Sequence, residues 1–390
     1  MGNGSAEPSW LTERRREGAS LARELSLPTE KERGWEFTDL SGLELDSFEP
    51  GRASVAGLNG DRDPGLPVVA SLADAAGRLG DLIEGSFGSV VSTEDPFVAR
   101  NEAGWRDGLL VYVPRGQRLA RPARIEVSHA GGALAWRTLI VLEKGAEAEV
   151  WERYAGDGAG EEEGLFNGVA EIIVGPGATL RYICEQELSE RSWVFASQRA
   201  ELARDASLEW VALGFGSARG KVRMETKLAG PGSSARVTGA YAGSGRQHLD
   251  FDTTQEHAGE HTTSDLAFRG VLAGRSTAVW RGMIRVDPGA QQTDAFQESR
   301  NLLLSARAHA DAIPGLEIEA DDVRCTHAAA VAQIDAEQVH YLRAHGLDEA
   351  TAKRLIIDGF LGALVERTPE GATREAMGAA LERRLGEILG

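Results

Sequence analysis

The run DDVRCTH, residues 321–327, holds the residue types most suited to chemistry in this chain. A strand through this run would place Cys325 and His327 on one face, roughly 7 Å apart. Thiolate and imidazole are ligands that iron and zinc accept. Two ligands alone bind a metal weakly, so a site here would need further ligands from a partner chain. From these residues alone, an ordinary structural role near the end of a sheet is equally open.

The remaining candidate groups make weaker sites. The adjacent acids Asp321 and Asp322 would point to opposite strand faces, which is a poor arrangement for an acid–base pair. In EHAGEH, His257 and His261 could share a metal on a helix, but on a strand they would lie roughly 13 Å apart. We interpret both as polar side chains near a turn. Cys184 falls in the buried register of its strand and is expected to be a small core residue.

Charge and cysteine content exclude several classes of protein. The 390 residues include 42 Lys and Arg against 60 Asp and Glu, a net charge of −18. This balance argues against binding to nucleic acids or anionic membranes. No apolar run approaches the ~20 residues of a membrane helix, and the N-terminus has no secretory signal pattern. With only two cysteines, we expect a cytoplasmic protein without disulfides.

Several catalytic motifs are missing from the sequence. It contains neither a G-x-x-x-x-G-K-[ST] loop nor a G-x-G-x-x-G turn after a strand, so we expect no nucleotide to bind directly. It also lacks G-x-S-x-G, H-E-x-x-H and C-x-x-C. We therefore predict a protein that is not itself an enzyme.

The middle of the chain reads as a long β region, for which we predict a domain over residues 106–334. Short runs alternate between apolar and polar residues, and small residues recur at turns. Ala146, Ala178, Ala206 and Ser234 are spaced 32, 28 and 28 residues apart. A sandwich, a propeller and a β-solenoid all have such strands. The variable repeat length and small turn residues favour a β-helix, in which each coil stacks on the next.

The flanking regions are predicted to be helical, over residues 1–105 with irregular segments and over 335–390 as a C-terminal domain. Asp335 and Asp348 are expected N-caps, and Gly346 an expected helix end. The helix over residues 348–366 is apolar on more than one side. One side can bury against its own domain, so the other calls for a second surface such as another protein.

The block from residue 262 to residue 347, including TDAFQESRNLLLS, LEIEADDVRCTH and YLRAHGL, closely resembles the SufB/SufD family of iron–sulfur cluster assembly proteins. The segment ERGWEFTDLSGL, residues 32–43, and the shortage of cysteines resemble the SufD branch. Ala328 and Gly315 depart from the family pattern, which has a glycine and a polar residue at these positions.

The resemblance implies a right-handed parallel β-helix core with N-terminal and C-terminal helical segments. It also implies a scaffold subunit of the SUF complex that pairs through its β-helix with a SufB-like paralogue, or with itself when isolated. Iron or a transient iron–sulfur cluster would lie at that junction near Cys325 and His327. A SufC-like ABC ATPase would dock on the C-terminal helices. The residues expected to contact it are Leu355, Ile356, Phe360, Leu361 and Leu364.

Two other functions stay open from the sequence. One is a structural adaptor without any metal, which metal analysis of the reconstituted complex would separate from a scaffold. The other is a carbohydrate-active β-helix enzyme, which the poor geometry of Asp321 and Asp322 disfavours.

Overall fold

The computed structural model describes residues 7–51, 53–58, 65–156 and 163–389. It is mainly β, with 44% strand and 22% helix, and its body is a parallel β-solenoid of about eight turns. The predicted parallel β-helix with helical segments at both ends is therefore confirmed. Each turn contributes one strand to each of two sheets, here called sheet A and sheet B.

The two sheets face each other across a lumen filled with side chains. Sheet A contains β2 Val68–Ser71, β3 Asp107–Val113, β5 Gly132–Leu142, β7 Gly164–Val174, β9 Ser192–Leu202, β11 Arg219–Leu228, β13 His248–His257, β15 Thr277–Val286 and β17 His309–Ile318. Sheet B contains β1 Ala53–Ala56, β4 Ala123–His129, β6 Glu147–Gly156, β8 Thr179–Glu187, β10 Ser207–Gly214, β12 Ser234–Gly243, β14 Thr263–Leu272, β16 Asp294–Leu303 and β18 Arg324–Gln333. Pairing is parallel except at the N-terminal end, where β1 and β2 run antiparallel to β4 and β3.

One corner of the β-helix carries the predicted recurrence of small residues. Ala146, Ala178 and Ala206 occupy equivalent buried positions in successive turns, because the strands that follow them pair in register. The fourth member is Ser233 and not Ser234 as predicted, because Ser207 pairs with Ser234 and the alignment shifts by one residue. The residue before each of these positions has a positive φ. This column of turn residues comprises Gly116, Gly145, Gly177, Asp205, Gly232, His261 and Gln292.

The N-terminal end of the β-helix is sealed by the chain itself, because β1 and β2 pair with the edges of β4 and β3 and the lumen residues there are buried. Short helices pack against the outer face of sheet A, namely α1 Ser9–Glu24, α2 Leu72–Arg78, α3 Gly80–Ile83 and α4 Pro96–Gly104. Beneath them Arg137 is fully buried and contacts two carboxylates at 2.6 Å, those of Glu102 on α4 and Glu171 on β7. The Arg137 guanidinium also lies 4.4 Å from the Phe87 ring. Helices and solenoid are thus joined by a buried, charge-assisted contact.

Three C-terminal helices follow β18, and their ends match the predicted caps. They are α5 Ala336–Ala344, α6 Glu349–Val365 and α7 Ala372–Leu389. The carboxylate of Asp335 accepts from the first backbone N–H groups of α5, and that of Asp348 does so for α6. Gly346, with φ of 95°, ends α5 in the left-handed region that glycine favours.

Helices α6 and α7 pack against the outer face of sheet B. Leu361 and Leu364 are buried in this contact, beside Ile357 and the β10 residues Val211 and Leu213. We predicted that Leu361 and Leu364 contact a partner; this is corrected, because both lie in the chain's own core. In the described part of the chain, no helix combines the length and apolar character needed to cross a membrane.

Candidate functional site

Cys325 and His327 lie on β18, the terminal strand of sheet B. Their register partners in the coil beneath are Ala295 and Gln297, which are both buried and point into the lumen. Because parallel strands keep side-chain direction in register, Cys325 and His327 also point toward the lumen. The structure thus brings these two predicted residues to one face. Their role as metal ligands stays a prediction.

The environment of Cys325 differs from that of His327. The Cys325 side chain is half-buried against the apolar residues Val286 and Ala295, whereas His327 is exposed. Burial, and to a lesser degree the charge of Asp294, raises the pKa of the Cys325 thiol. The thiol is therefore protonated at neutral pH.

Gln297, the register partner of His327 on β16, is a polar residue inside the lumen. It is fully buried, and its side-chain N–H groups donate to the carbonyls of Gly282 at 3.2 Å and Gly315 at 3.1 Å. Gln297 thereby ties sheet B to the last two strands of sheet A. Gly315, one of the two departures from the family pattern, also leaves room for Met283, whose methyl would lie only 2.7 Å from a Cβ at this position. Sequence reasoning missed Gln297 because a polar residue gives no sign of inward direction.

The two acids of DDVRCTH belong to the turn that leads into β18. The backbone N–H of Asp322 donates to the Gln291 side chain at 3.0 Å, and its carbonyl accepts from Gln292 N–H at 2.7 Å. The side chain of Asp322 is bonded to Gln292 as well. Asp321 is exposed. These contacts show that Asp322 helps to form the turn. They give no support to an acid–base pair of Asp322 with Asp321.

The end of the solenoid that carries Cys325 and His327 is open. Inward-facing residues of the last coil are exposed, with Leu316 at 37%, Ile318 at 40% and Val331 at 43%. Within the described ranges no element covers this end. Strands β17 and β18 each have one edge that no described strand pairs with. An unpaired edge next to exposed apolar groups is a surface on which a further strand could pair.

The other residues considered as metal ligands, His257, His261 and Cys184, have structural positions in the β-helix. His257 is fully buried, and its two ring nitrogens lie 2.7 and 2.8 Å from the hydroxyls of Thr262 and Ser264. Its burial lowers the pKa of His257 to about 4. His261 lies in the following turn with φ of 56°. Cys184 is a buried lumen residue, and burial raises its thiol pKa to about 12. Among the residues described, no three His, Cys, Asp or Glu side chains are grouped to hold a metal.

The residues predicted to contact a partner on the C-terminal helices differ in how far they are exposed. Leu355 on α6 is 53% exposed, and Tyr341 on α5 is 63% exposed. Ile356 and Phe360 are half-buried. The Arg269 guanidinium lies 5.0 Å from the Phe360 ring and also bonds the Phe360 carbonyl, so Phe360 serves mainly to attach α6 to sheet B. Leu355 is the predicted contact residue that is most available to a partner.

Similarity to known proteins agrees with this geometry. Residues 125–360 match the family model described as "SUF system FeS cluster assembly, SufBD core domain". The iron–sulfur cluster assembly protein SufD of Bacillus subtilis is 28% identical, covering 97% of this chain and 95% of its own length. SufD of Escherichia coli is 29% identical over 92% and 89% of the two chains. A SufBD family protein of Mycobacterium leprae is 30% identical over 77% and 78%. The chain belongs to the SufB/SufD family of iron–sulfur cluster assembly proteins, with SufD proteins among its similar relatives.

Proposed function

We propose that this chain is a SufD-like scaffold subunit that does no catalysis itself. Its open end would pair with the open end of a SufB-like paralogue, and a SufC-like ATPase would dock on its C-terminal helices. Iron, sulfide or a nascent cluster would be the cargo handled at the junction. The observation that carries the proposal is the placement of Cys325 and His327 in the lumen-facing register of an uncovered terminal coil.

Pairing of two open ends would solve a physical problem of this fold. Solenoid ends need caps, because the last coil otherwise exposes apolar side chains and unpaired backbone groups. Leu316, Ile318 and Val331 are such exposed side chains. A second β-helix would extend both sheets and cover the lumen. Self-pairing in a homodimer would serve the same need when the paralogue is missing.

The junction would also complete the donor set. Cys325 and His327 offer one sulfur and one imidazole, and two ligands are too few for a stable iron site. A paralogue facing them across the junction would supply the rest. A metal-free adaptor is the second candidate, favoured by the apolar lining of the open end, which would support association without any metal. Nothing in the geometry favours a carbohydrate-active enzyme.

The first experiment compares Cys325→Ser and His327→Ala with the unchanged chain in the copurified complex. His327 is exposed, and Cys325→Ser is a near-isosteric change at a half-buried position, so we expect complex yield and melting temperature to change little. Iron and sulfide per mole of complex should fall by more than half for each variant. Cys184→Ala is the control, because it removes the other thiol from a site far from the junction. Unchanged iron and sulfide in both variants would leave the adaptor function and refute the metal role.

The second experiment tests the ATPase surface. Leu355→Asp places a charge on the exposed side of α6, and we expect it to weaken ATPase binding while circular dichroism stays unchanged. Leu66→Asp is a matched control, since Leu66 is also exposed, at 46%, but lies in the N-terminal region. Equal ATPase affinity for both variants and the unchanged chain would remove α6 from the docking surface.

A further inference from the structure

The segment of residues 29–48, here called the arm, lies on the outer face of sheet A. Its anchor is Trp35, which is buried and stacks on Phe97 at a centroid distance of 5.6 Å, with Phe195 of β9 at 6.3 Å. The Lys221 ammonium of β11 lies 5.6 Å from the same indole ring. Aromatic burial of this kind fixes the arm on the solenoid.

From this anchor the arm reaches toward the open end. Thr38 is buried and donates to the Asp250 carboxylate of β13 at 2.5 Å. Glu36 forms an ion pair at 2.7 Å with Arg281 of β15. Strand β15 is the neighbour of the terminal strand β17, and the register partner of Arg281 there is Ile313. The tip of the arm therefore stands one strand short of the unpaired edge of sheet A.

Phe37 lies at this tip, between the two anchored residues. Its side chain is 40% exposed, although residues 36 and 38 on either side are held in place. A single exposed aromatic residue is ordinary on a protein surface. The backbone that carries this ring, however, is held by the contacts of Glu36 and Thr38 on either side, one strand away from an unpaired edge. Neighbouring strands are about 4.8 Å apart, so a strand added to β17 would lie roughly 10 Å from β15.

We propose that Phe37 and the arm tip form part of the surface that contacts the partner β-helix when its edge strand pairs with β17. This inference rests on the end-to-end pairing proposed above and assigns it a residue outside the solenoid. The occupant is the SufB-like paralogue, whose outer face next to the new strand would pack on the Phe37 ring. Pairing would in turn hold the arm more firmly, because bound partner and docked arm stabilise each other.

The test measures the dissociation constant of the purified SufB-like paralogue for variants of the full chain. Phe37→Ser should weaken binding roughly tenfold, because aromatic burial at an interface is lost. Phe37→Leu should restore much of the affinity. Leu66→Ser, at a similarly exposed leucine in the N-terminal region, should bind as the unchanged chain does. Hydrogen exchange over residues 29–48 in the free chain checks that Phe37→Ser leaves the arm docked.

A third variant separates the two proposals. Leu316→Asp alters the open end itself and should abolish pairing if the ends associate. Should Leu316→Asp disrupt pairing while Phe37→Ser has no effect, the arm inference is overturned and end-to-end pairing stands. If neither variant changes the dissociation constant, the pairing itself fails. In the complex, we expect slower exchange over residues 29–48, and unchanged exchange would also count against the arm.

Discussion

The two ends of the β-helix differ in the burial of the side chains that point into the lumen. At the N-terminal end, inward residues such as Val111 of β3 are completely buried. At the C-terminal end, the inward residue Val331 of β18 is 43% exposed. Both are valines on parallel strands of one solenoid, so side-chain chemistry does not explain the difference. One end is covered by the chain itself, and at the other end the described residues leave the last coil exposed.

Towards the N-terminal end, the helices on the outer face of sheet A are held by polar contacts that would be costly without partners. Glu102 forms ion pairs with Arg14 and Arg137, each at 2.6 Å. Glu171 forms an ion pair with Arg137 and accepts a hydrogen bond from the backbone N–H of Gly88 at 2.9 Å. A buried charge is tolerated only where such partners are fixed. The difference teaches that charged groups are buried and paired near the N-terminal end, whereas the last coil leaves apolar residues exposed.

The sharpest test makes one substitution at both ends. Val111→Asp buries an unpaired carboxylate and should cost upwards of about 4 kcal/mol of unfolding free energy, or prevent folding. Val331→Asp should change the unfolding free energy by less than about 1 kcal/mol, because the position is solvent-exposed. It should nevertheless weaken pairing with the paralogue roughly a hundredfold, since the carboxylate would be buried in the junction. Chemical denaturation and binding measurements provide both numbers, and similar destabilisation by the two variants would refute the comparison.

A second test removes the buried cation of the sealed end. Arg137→Met keeps much of the volume but leaves Glu102 with Arg14 as its cation and Glu171 with backbone N–H donors such as that of Gly88. We expect a loss of about 3–5 kcal/mol in unfolding free energy, with α1 and α4 exchanging hydrogen first. Arg118→Met is the control, because its ion pair is exposed and should contribute less than about 1 kcal/mol. A melting temperature equal to that of the unchanged chain would show that the triad is dispensable.

Much of the solenoid could be predicted from sequence because strands such as β4 alternate between buried and more exposed positions. Small residues such as Ala146 and Ala178 mark one corner by their spacing along the chain. The register of the corner could not be fixed, since turn lengths vary and a one-residue difference between Ser233 and Ser234 leaves the pattern nearly unchanged. Strand pairing, and not the sequence pattern, decides which serine lies at the corner.

The site was predicted in part. Alternation along β18 placed Cys325 and His327 on one face, which the register confirms. It could not show Gln297 beneath them, because the inward direction of a polar residue depends on the facing sheet. The exposed face of helix α6 was harder to predict. Helix α6 is apolar on several sides, so sequence could not tell the buried Leu361 from the exposed Leu355.

A third test uses acid to compare the ends. Unfolded histidine takes up a proton near pH 6.5, but burial lowers the pKa of His257 in the folded chain to about 4. Between these values the unfolded state binds more protons, so the stability that this group contributes is lost as pH falls from 6.5 to 4. The loss should reach about 3 kcal/mol.

Because His257 ends β13 near the open end, strands β13 to β18 should exchange hydrogen in acid before β3 to β7 do. His257→Gln should flatten the pH dependence of the unfolding free energy, and His340→Gln, at an exposed ring, should not. Loss of protection at both ends together, at the same pH, would contradict a local role for His257.

The smallest expected effect concerns the turn column. Towards the sealed end its residues are glycines, such as Gly145 with φ of 68° and Gly177 with φ of 64°. Towards the open end His261 and Gln292 adopt the same left-handed conformation with φ of 56° and 61°. A side chain pays a conformational cost there that glycine avoids. His261→Gly should therefore raise the unfolding free energy by up to about 1 kcal/mol, after allowing for the freer unfolded chain.

The reverse substitution at an equivalent turn provides the control. Gly232 has φ of 73°, and an added Cβ would lie 2.4 Å from a carboxylate oxygen of Asp205, so Gly232→Ala should destabilise the fold. Thermal denaturation of both variants separates strain from side-chain function. A drop in stability for His261→Gly would mean that the imidazole makes a contribution larger than the strain it causes. The open end would then be held together by a contact at its turns, and the contrast with the glycine turns of the sealed end would lose its basis.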